Sequence, residues 1–280
     1  MENRYFKGWA KPGPIAPGTP DTHPPGPDES LDAISGYFKI YQLKNGHRFS
    51  TDDLLAAWYG TCWCPSPQTA LDLGSGIGSV GMVAAWRLPG THFVTVEAQE
   101  ESVRLARKSA IYNGLEGRYQ IRRGDFRDEG VIAPDEKFDL ILGSPPYFPL
   151  DAGILGDHPQ KIACRFEVRG NIADYCLTAA KHLNWGGAFA CVFPIAPEDQ
   201  RRRIESAARE AGLTIVRQRP VMLKEGEAPL LSVFLMTRSD HLPEANLSAI
   251  WVEPPLIIRT KTGEVHPEYI AVKLSIGFPP

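Results

Sequence analysis

Apolar positions along the chain follow two rhythms, short runs of period two and longer runs of helical period, and from residue 36 onward the two take turns. Residues 37–43 alternate apolar and polar side chains. With Lys44-Asn45-Gly46 and then His47-Arg48-Phe49 they predict a β-hairpin. Ser50-Thr51-Asp52-Asp53 supplies helix-cap chemistry for a helix over 54–59, and Asp52 by itself reads as a helix-start carboxylate. Strands are then predicted at 69–73, 92–96, 119–122 and 138–142, with helices at 79–88 and 100–112. The fourth strand runs straight into Gly143-Ser144-Pro145-Pro146-Tyr147-Phe148-Pro149. Further on come a helix at 172–183, a strand at 188–193, a helix at 198–211 and strands at 213–217 and 231–236. The link between the last two strands is about a dozen residues, too short for a helical crossover, so that pair is antiparallel. The pattern predicts an α/β fold: a doubly wound, mostly parallel seven-stranded sheet with helices on both faces.

Residues 1–35 break the rhythm. Prolines at 12, 14, 17, 20, 24, 25 and 27 alternate with Gly, Asp and Thr, a composition that buries little apolar surface and predicts a flexible arm. Residues 36–280 read as one domain, and the segment from 240 on has few signals. The 280 residues are 43% apolar, enough for a substantial core, yet no apolar run is long enough for a membrane span and no secretory leader is visible. A cytoplasmic location is expected. Five scattered cysteines argue against a disulfide framework, and Cys62-Trp63-Cys64 lacks a second pair to complete a metal site, so no metal is expected. With a net charge of −3, any nucleic-acid contact must use a local basic face.

Candidate chemistry gathers where strands end. Leu71-Asp72-Leu73-Gly74-Ser75-Gly76-Ile77-Gly78 closes the first sheet strand with a loop that lets backbone approach a nucleoside-containing cofactor. Gly76, Gly78 and Gly81 also satisfy the dinucleotide pattern, so the loop alone leaves a nicotinamide, a flavin or S-adenosylmethionine open. Ligands of an open parallel sheet sit beyond the carboxyl ends of its strands, where Asp72, Glu97, Asp125 and the Ser144–Tyr147 segment all fall. Glu97 suits two ribose hydroxyls and Asp125 an adenine amino group. A dinucleotide enzyme has no evident need for the diproline segment.

These motifs resemble the class I S-adenosylmethionine-dependent methyltransferases, specifically the amino-methylating group with Asn/Asp/Ser-Pro-Pro-Tyr after the fourth strand. Within it, Asn45-Gly46-His47-Arg48-Phe49-Ser50-Thr51-Asp52, Phe148 and Cys164-Arg165-Phe166-Glu167 are similar to the bacterial tRNA1(Val) adenine-N6 methyltransferases. The resemblance implies S-adenosylmethionine as cofactor, held by Asp72, Gly74, Ser75, Gly76, Gly78, Glu97, Asp125, Phe126 and Ser144. It implies an RNA substrate, with tRNA the first choice. Ser144, Pro145, Pro146 and Tyr147 would form the catalytic segment: the Pro145 carbonyl and the Ser144 side chain accept from the target amine while Tyr147 stacks on the base. Phe148 would complete the wall. Lys161, Arg165 and Arg169 are the candidate phosphate contacts, whereas Arg201-Arg202-Arg203 reads better as a solvated helix face.

The chain departs from the adenine-N6 enzymes at Ser144, where they carry Asn or Asp. Ser-Pro-Pro also occurs in enzymes resembling cytosine-N4 methyltransferases, which leaves the target base open. Small-molecule N-methylation, glutamine methylation of a release factor and a non-catalytic cofactor-binding RNA partner are the other readings. The oligomeric state has no sequence signal.

Overall fold

A computed structural model describes residues 4–6, 8–149 and 158–280. The chain begins with β1 (Tyr5–Phe6) and β2 (Trp9–Ala10), then a hairpin of β3 (Glu29–Ser35) and β4 (Phe38–Leu43), then helix α1 (Thr51–Trp63). The doubly wound part follows: β5 (Thr69–Leu73), α2 (Ser79–Arg87), β6 (His92–Glu97), α3 (Glu100–Tyr112), β7 (Tyr119–Arg123) and β8 (Phe138–Gly143). After α4 (Pro159–Arg165) and α5 (Ile172–His182) come β9 (Leu183–Pro194), α6 (Glu198–Glu210), β10 (Leu213–Met222) and β11 (Leu231–Arg238). Short strands β12 (Trp251–Val252) and β13 (Leu256–Ile257) and helix α7 (Pro267–Ser275) end the described structure.

The main sheet runs in the order β7-β6-β5-β8-β9-β11-β10-β12, with β13 also on β10. Pairing is parallel from β7 to β9 and antiparallel for β9–β11 and β11–β10. The doubly wound expectation holds, with nine strands in place of seven. The two additions pair through two residues each, too short a span for periodicity to register.

Central strand β5 is covered on both faces, which is why its run after Thr69 is apolar but for Asp72. One layer packs α1, α2 and α3 with the β3–β4 hairpin, and the opposite layer packs α5 and α6. From β5 the chain winds outward through β6 and β7, then returns to β8 on the other side of β5. The β5/β8 boundary is thus the topological switch point, and a crevice is expected beyond its carboxyl end.

Two sequence expectations are corrected before the sheet. Strand 38–43 pairs upstream with 29–35 around Gly36-Tyr37, and not with 47–49. The backbone of 47–49 is taken by side chains: His47 N–H donates to Gln160 Oε1 at 2.9 Å and Phe49 N–H to Gln42 Oε1 at 2.8 Å. Nor is the proline-rich stretch free of the domain. Ala16 is buried, Gly18 N–H donates to the Tyr112 carbonyl at 3.0 Å, and Tyr41 donates its hydroxyl to the His23 carbonyl.

Candidate active site

A cavity of about 870 Å³ opens at the switch point, with the loop after β5 on one side and the segment after β8 on the other. Leu73 and Gly143, the last paired residues of these strands, are register partners, so the two loops leave the sheet side by side.

Gly74, Ser75, Gly76 and Ile77 line the first side. Gly74 sits at φ +59°, and a Cβ there would lie 2.1 Å from the Tyr175 hydroxyl oxygen. Gly76 sits at φ +55° with open space where its Cβ would be, so the backbone itself faces the cavity. Glu97, at the end of β6, accepts from Gly76 N–H at 2.8 Å and Gln99 N–H at 2.7 Å. Burial raises its carboxyl, opposed by those amides and by Arg169. Each oxygen keeps a lone pair for a further donor. Ser75 Oγ is buried without a hydrogen-bond partner among the described residues.

Asp72 and Gly78, expected against the cofactor, lie one layer behind it and do not line the cavity. Asp72 is fully buried and accepts from Gly81 N–H at 2.9 Å, while Gly78 caps α2. Burial holds the Asp72 carboxyl well above its ordinary value, and the nearby Asp53 and Glu97 charges add to that. Asp125 does line the cavity, but Arg127 grips its two oxygens at 2.9 and 2.6 Å and holds its carboxyl down. Those bonds compete with the expected acceptance from an adenine amino group. Phe126 stands edge-on to Tyr175, ring centroids 4.8 Å apart.

On the far side, Ser144, Pro145, Pro146, Tyr147 and Phe148 all face the cavity. Tyr147 packs edge-on against Phe193 at 5.8 Å and donates its hydroxyl to Asp52 Oδ2 at 2.8 Å. Burial, and then the Asp52 charge, push the phenol well up, so it stays a donor. Phe148 is 40% exposed and is tied to the end of α4 by Phe148 N–H to Arg165 carbonyl (3.2 Å) and Glu167 N–H to Phe148 carbonyl (2.9 Å).

Two carboxylates from the first turn of α1 complete the floor. Besides holding Tyr147, Asp52 sits beside Asp53, which accepts from Ser50 N–H and Ser79 Oγ, each at 3.0 Å. Burial raises the Asp53 carboxyl, and the Ser50 amide and the Ser79 and Ser144 hydroxyls nearby hold it back. The sequence marked 50–53 as a cap, which it is. That the same carboxylates meet the diproline segment depends on α1 packing over β8 and β9, an arrangement no local pattern encodes.

Lys161, Arg165 and Arg169 line the mouth, joined by Lys44, His47 and Arg48. Burial, followed by the Arg165 and Lys161 charges, pushes the His47 imidazole down, so it is neutral near pH 7. Cys164 is wall and not nucleophile, its thiol pushed up to about 12 by burial. Arg201 and Arg202 follow the solvated-face reading, but Arg203 turns inward to pair with Glu167 and to donate to the Tyr147 carbonyl at 3.4 Å. Among the described residues no group of His, Cys, Asp or Glu is placed to hold a metal ion.

The methyltransferase small domain family matches residues 60–154, which span β5 to the diproline segment. The chain is an S-adenosylmethionine-dependent methyltransferase. A protein named tRNA1(Val) (adenine(37)-N6)-methyltransferase from Porphyromonas gingivalis (strain W83) is 27% identical over 239 residues, 83% of this chain and 89% of that one. One of the same name from Bacteroides thetaiotaomicron is 27% identical over 217 residues, 76% and 87% of the two chains. In fold the methyltransferase is similar to a crystal structure described as a predicted O-methyltransferase from Agrobacterium tumefaciens (TM-score 0.60, 17% identity, 81% of this chain and 98% of that chain). The crevice suits the cofactor of this methyltransferase. It offers a buried carboxylate with spare lone pairs at Glu97, an unpartnered hydroxyl at Ser75 and a backbone cradle at Gly76. No helix among the described residues is long and apolar enough to cross a membrane.

Proposed function

We propose that this methyltransferase modifies the exocyclic N6 of an adenine in RNA, with tRNA as the substrate class. The observation carrying the reading is that the glycine loop after β5 and Ser144–Phe148 after β8 open onto one cavity whose mouth bears Lys161, Arg165 and Arg169. Relatives named for adenine-N6 methylation of tRNA support the choice of base and polymer.

When bound, S-adenosylmethionine supplies an activated methyl group on a sulfonium sulfur. Gly74, Ser75 and Gly76 would hold it by backbone and hydroxyl, Glu97 would accept from its ribose hydroxyls, and Phe126 and Asp125 would stand beside its base. An adenine swung out of its stack lies against Tyr147 and Phe148, and loops of single-stranded RNA present bases in that way at low cost. Its amine is a weak nucleophile because the nitrogen lone pair is delocalised into the ring. The Pro145 carbonyl and Ser144 Oγ accept its two N–H bonds, favouring the pyramidal nitrogen of the transition state. Once methylated, the amine would carry a positive charge and release a proton to water. Positioning and water exclusion do most of the work.

Ser144 favours one second reading, cytosine N4, because a hydroxyl accepts from either amine. Incubation with labelled S-adenosylmethionine and total tRNA, followed by digestion to nucleosides, separates the two. N6-methyladenosine is expected. N4-methylcytidine would move the target to cytosine, and label absent from every RNA fraction would overturn the proposal.

A further inference from the structure

We infer that Arg203 is a positioning residue for the substrate side of the cavity, clasping the segment that carries Tyr147 and Phe148 to the segment that carries Arg165 and Arg169. The inference rests on the RNA reading above and deepens it, because base wall and phosphate contacts are then presented as one unit.

The two segments meet through a parallel bridge between Phe148 and Phe166. Phe148 N–H donates to the Arg165 carbonyl at 3.2 Å, Glu167 N–H donates to the Phe148 carbonyl at 2.9 Å, and the two phenylalanine rings lie 5.9 Å apart. A bridge of one residue pair is too short to persist by itself. Arg203 grips it from both strands. Its guanidinium pairs with the Glu167 carboxylate on one, and Nη1 donates to the Tyr147 carbonyl at 3.4 Å on the other. Gln200 Oε1, accepting at 3.0 Å, and the Phe193 ring, centred 5.7 Å from Cζ, fix the guanidinium in place. The same Phe193 ring packs edge-on with Tyr147.

An arginine suits this place because its planar fork reaches several acceptors at once, whereas a lysine ammonium acts as a point charge. The Arg203 side chain is 27% exposed and that of Glu167 11%, so removing either partner strands the other's charge away from water. Helix α6 does not depend on the clasp for its own docking, since Ile204, Ala207 and Ala208 already bury its apolar face. Neither Arg203 nor Glu167 lines the cavity, so Arg203 acts through the residues it holds. What the clasp sets is the spacing between Tyr147, against which the base lies, and Lys161, Arg165 and Arg169 at the mouth. It also gives Cys164-Arg165-Phe166-Glu167 a role: Arg165 and Phe166 supply the bridge, and Glu167 anchors it.

The test compares Arg203→Gln, Glu167→Gln and the double variant on total tRNA with labelled S-adenosylmethionine. Each single change is expected to raise the tRNA KM at least about five-fold, with calorimetric cofactor affinity held within about two-fold. The double variant adds less than about two-fold to the larger single loss, because the two side chains act as a pair. Arg203→Lys keeps the charge toward Glu167 and brings KM back at least about two-fold relative to Arg203→Gln. A lower kcat at unchanged KM would mark a purely structural loss of active protein and overturn the inference, as would losses that multiply in the double variant.

Amide exchange followed by NMR on the cofactor-free protein reads the clasp without RNA. In Arg203→Gln the Phe148 and Glu167 amides are expected to exchange at least about ten-fold faster, while the Gly76 amide, bonded to Glu97, changes less than about two-fold. Equal acceleration at all three, or at none, would overturn the inference. If no RNA is labelled, the substrate reading falls while the exchange result still decides whether Arg203 holds the wall. Should Arg203→Gln not fold, Arg203→Lys replaces it in both measurements, with smaller changes of the same sign expected.

Discussion

Tyr147 donates its phenolic hydrogen to Asp52 Oδ2 at 2.8 Å, joining the aromatic after β8 to the first turn of a helix that precedes the sheet. The ring is thereby held twice, by its perpendicular packing with Phe193 and by a carboxylate at its hydroxyl. Tyr147→Ala is expected to remove the stacking surface, a loss of roughly 1–3 kcal/mol, with S-adenosylmethionine affinity changed less than about three-fold. Tyr147→Phe keeps the ring but strands the Asp52 carboxylate, so a smaller fall in kcat is expected together with a lower Tm. Steady-state kinetics on tRNA beside calorimetry of the cofactor checks both. An equal loss of cofactor binding would place the ring in the cofactor site.

Gly74 and Gly76 share the left-handed conformation but differ in what surrounds them. An alanine Cβ at Gly74 would meet the Tyr175 hydroxyl at 2.1 Å, whereas at Gly76 it would meet nothing within 4 Å. Gly76→Ala is expected to cost only conformational strain, about 1–2 kcal/mol, yet to weaken cofactor binding sharply because the methyl group stands in the cradle. Gly74→Ala should lower Tm further through displacement of Tyr175. Thermal unfolding with and without cofactor separates the pair, and equal Tm losses would count against the Tyr175 clash.

The mouth of the cavity makes a prediction in salt. Lys161→Glu combined with Arg165→Glu is expected to weaken tRNA binding and to flatten the plot of log K against log[salt] by about 0.7 for each phosphate no longer neutralised. Cofactor affinity should stay within about two-fold. A binding isotherm repeated across salt concentrations is the measurement, and an unchanged slope would move the RNA path elsewhere.

Glu29 ties the β3–β4 hairpin to α3. Burial acts to raise its carboxyl, but hydrogen bonds from Lys108, the Gly26 amide and Arg104 outweigh that and bring it from 4.5 to about 2. The folded value is below the unfolded one, so its stabilisation is fully present above about pH 4.5 and is lost as the pH falls toward 2. Arg104 and Lys108 are partly exposed, so solvent screening reduces the contribution to about 1–2 kcal/mol. Glu29→Gln is expected to lower Tm near neutrality and to shrink the loss of Tm between pH 5 and 2.5. A parallel downward shift at all pH values would show that the ion pairs contribute no pH dependence.

The parallel half of the sheet was legible because each strand ends in its own punctuation: Gly74 after β5, Glu97 as the last residue of β6, Gly124 after β7 and Ser144-Pro145-Pro146 after β8. What the sequence concealed was long-range. Asn45-Gly46 is a sound turn signal, but Gln42 and Gln160 claim the backbone beyond it and leave no strand to pair. Asp72 ends its strand as a cofactor ligand would, yet the side chain turns back to hold Gly81, a choice between the two faces that local pattern does not set. Asp52 and Asp53 carry a cap signal that is correct and incomplete, since their second set of partners comes from Ser79 and Tyr147, far along the chain.

Trp86, near the end of α2, is enclosed by three glycines from remote parts of the chain. A Cβ on Gly13, Gly36 or Gly277 would fall 2.4, 2.9 or 2.6 Å from its indole. Gly36 N–H also donates to the Gly277 carbonyl at 2.6 Å, which closes the ring of backbone around the aromatic. One indole therefore serves as a buckle for the proline-rich lead-in, the hairpin turn and the final helix's exit. The helix that carries Trp86 near its end carries Ser79, a partner of Asp53, in its first turn, so the chain around residues 13, 36 and 277 and the floor of the cavity meet opposite ends of one element.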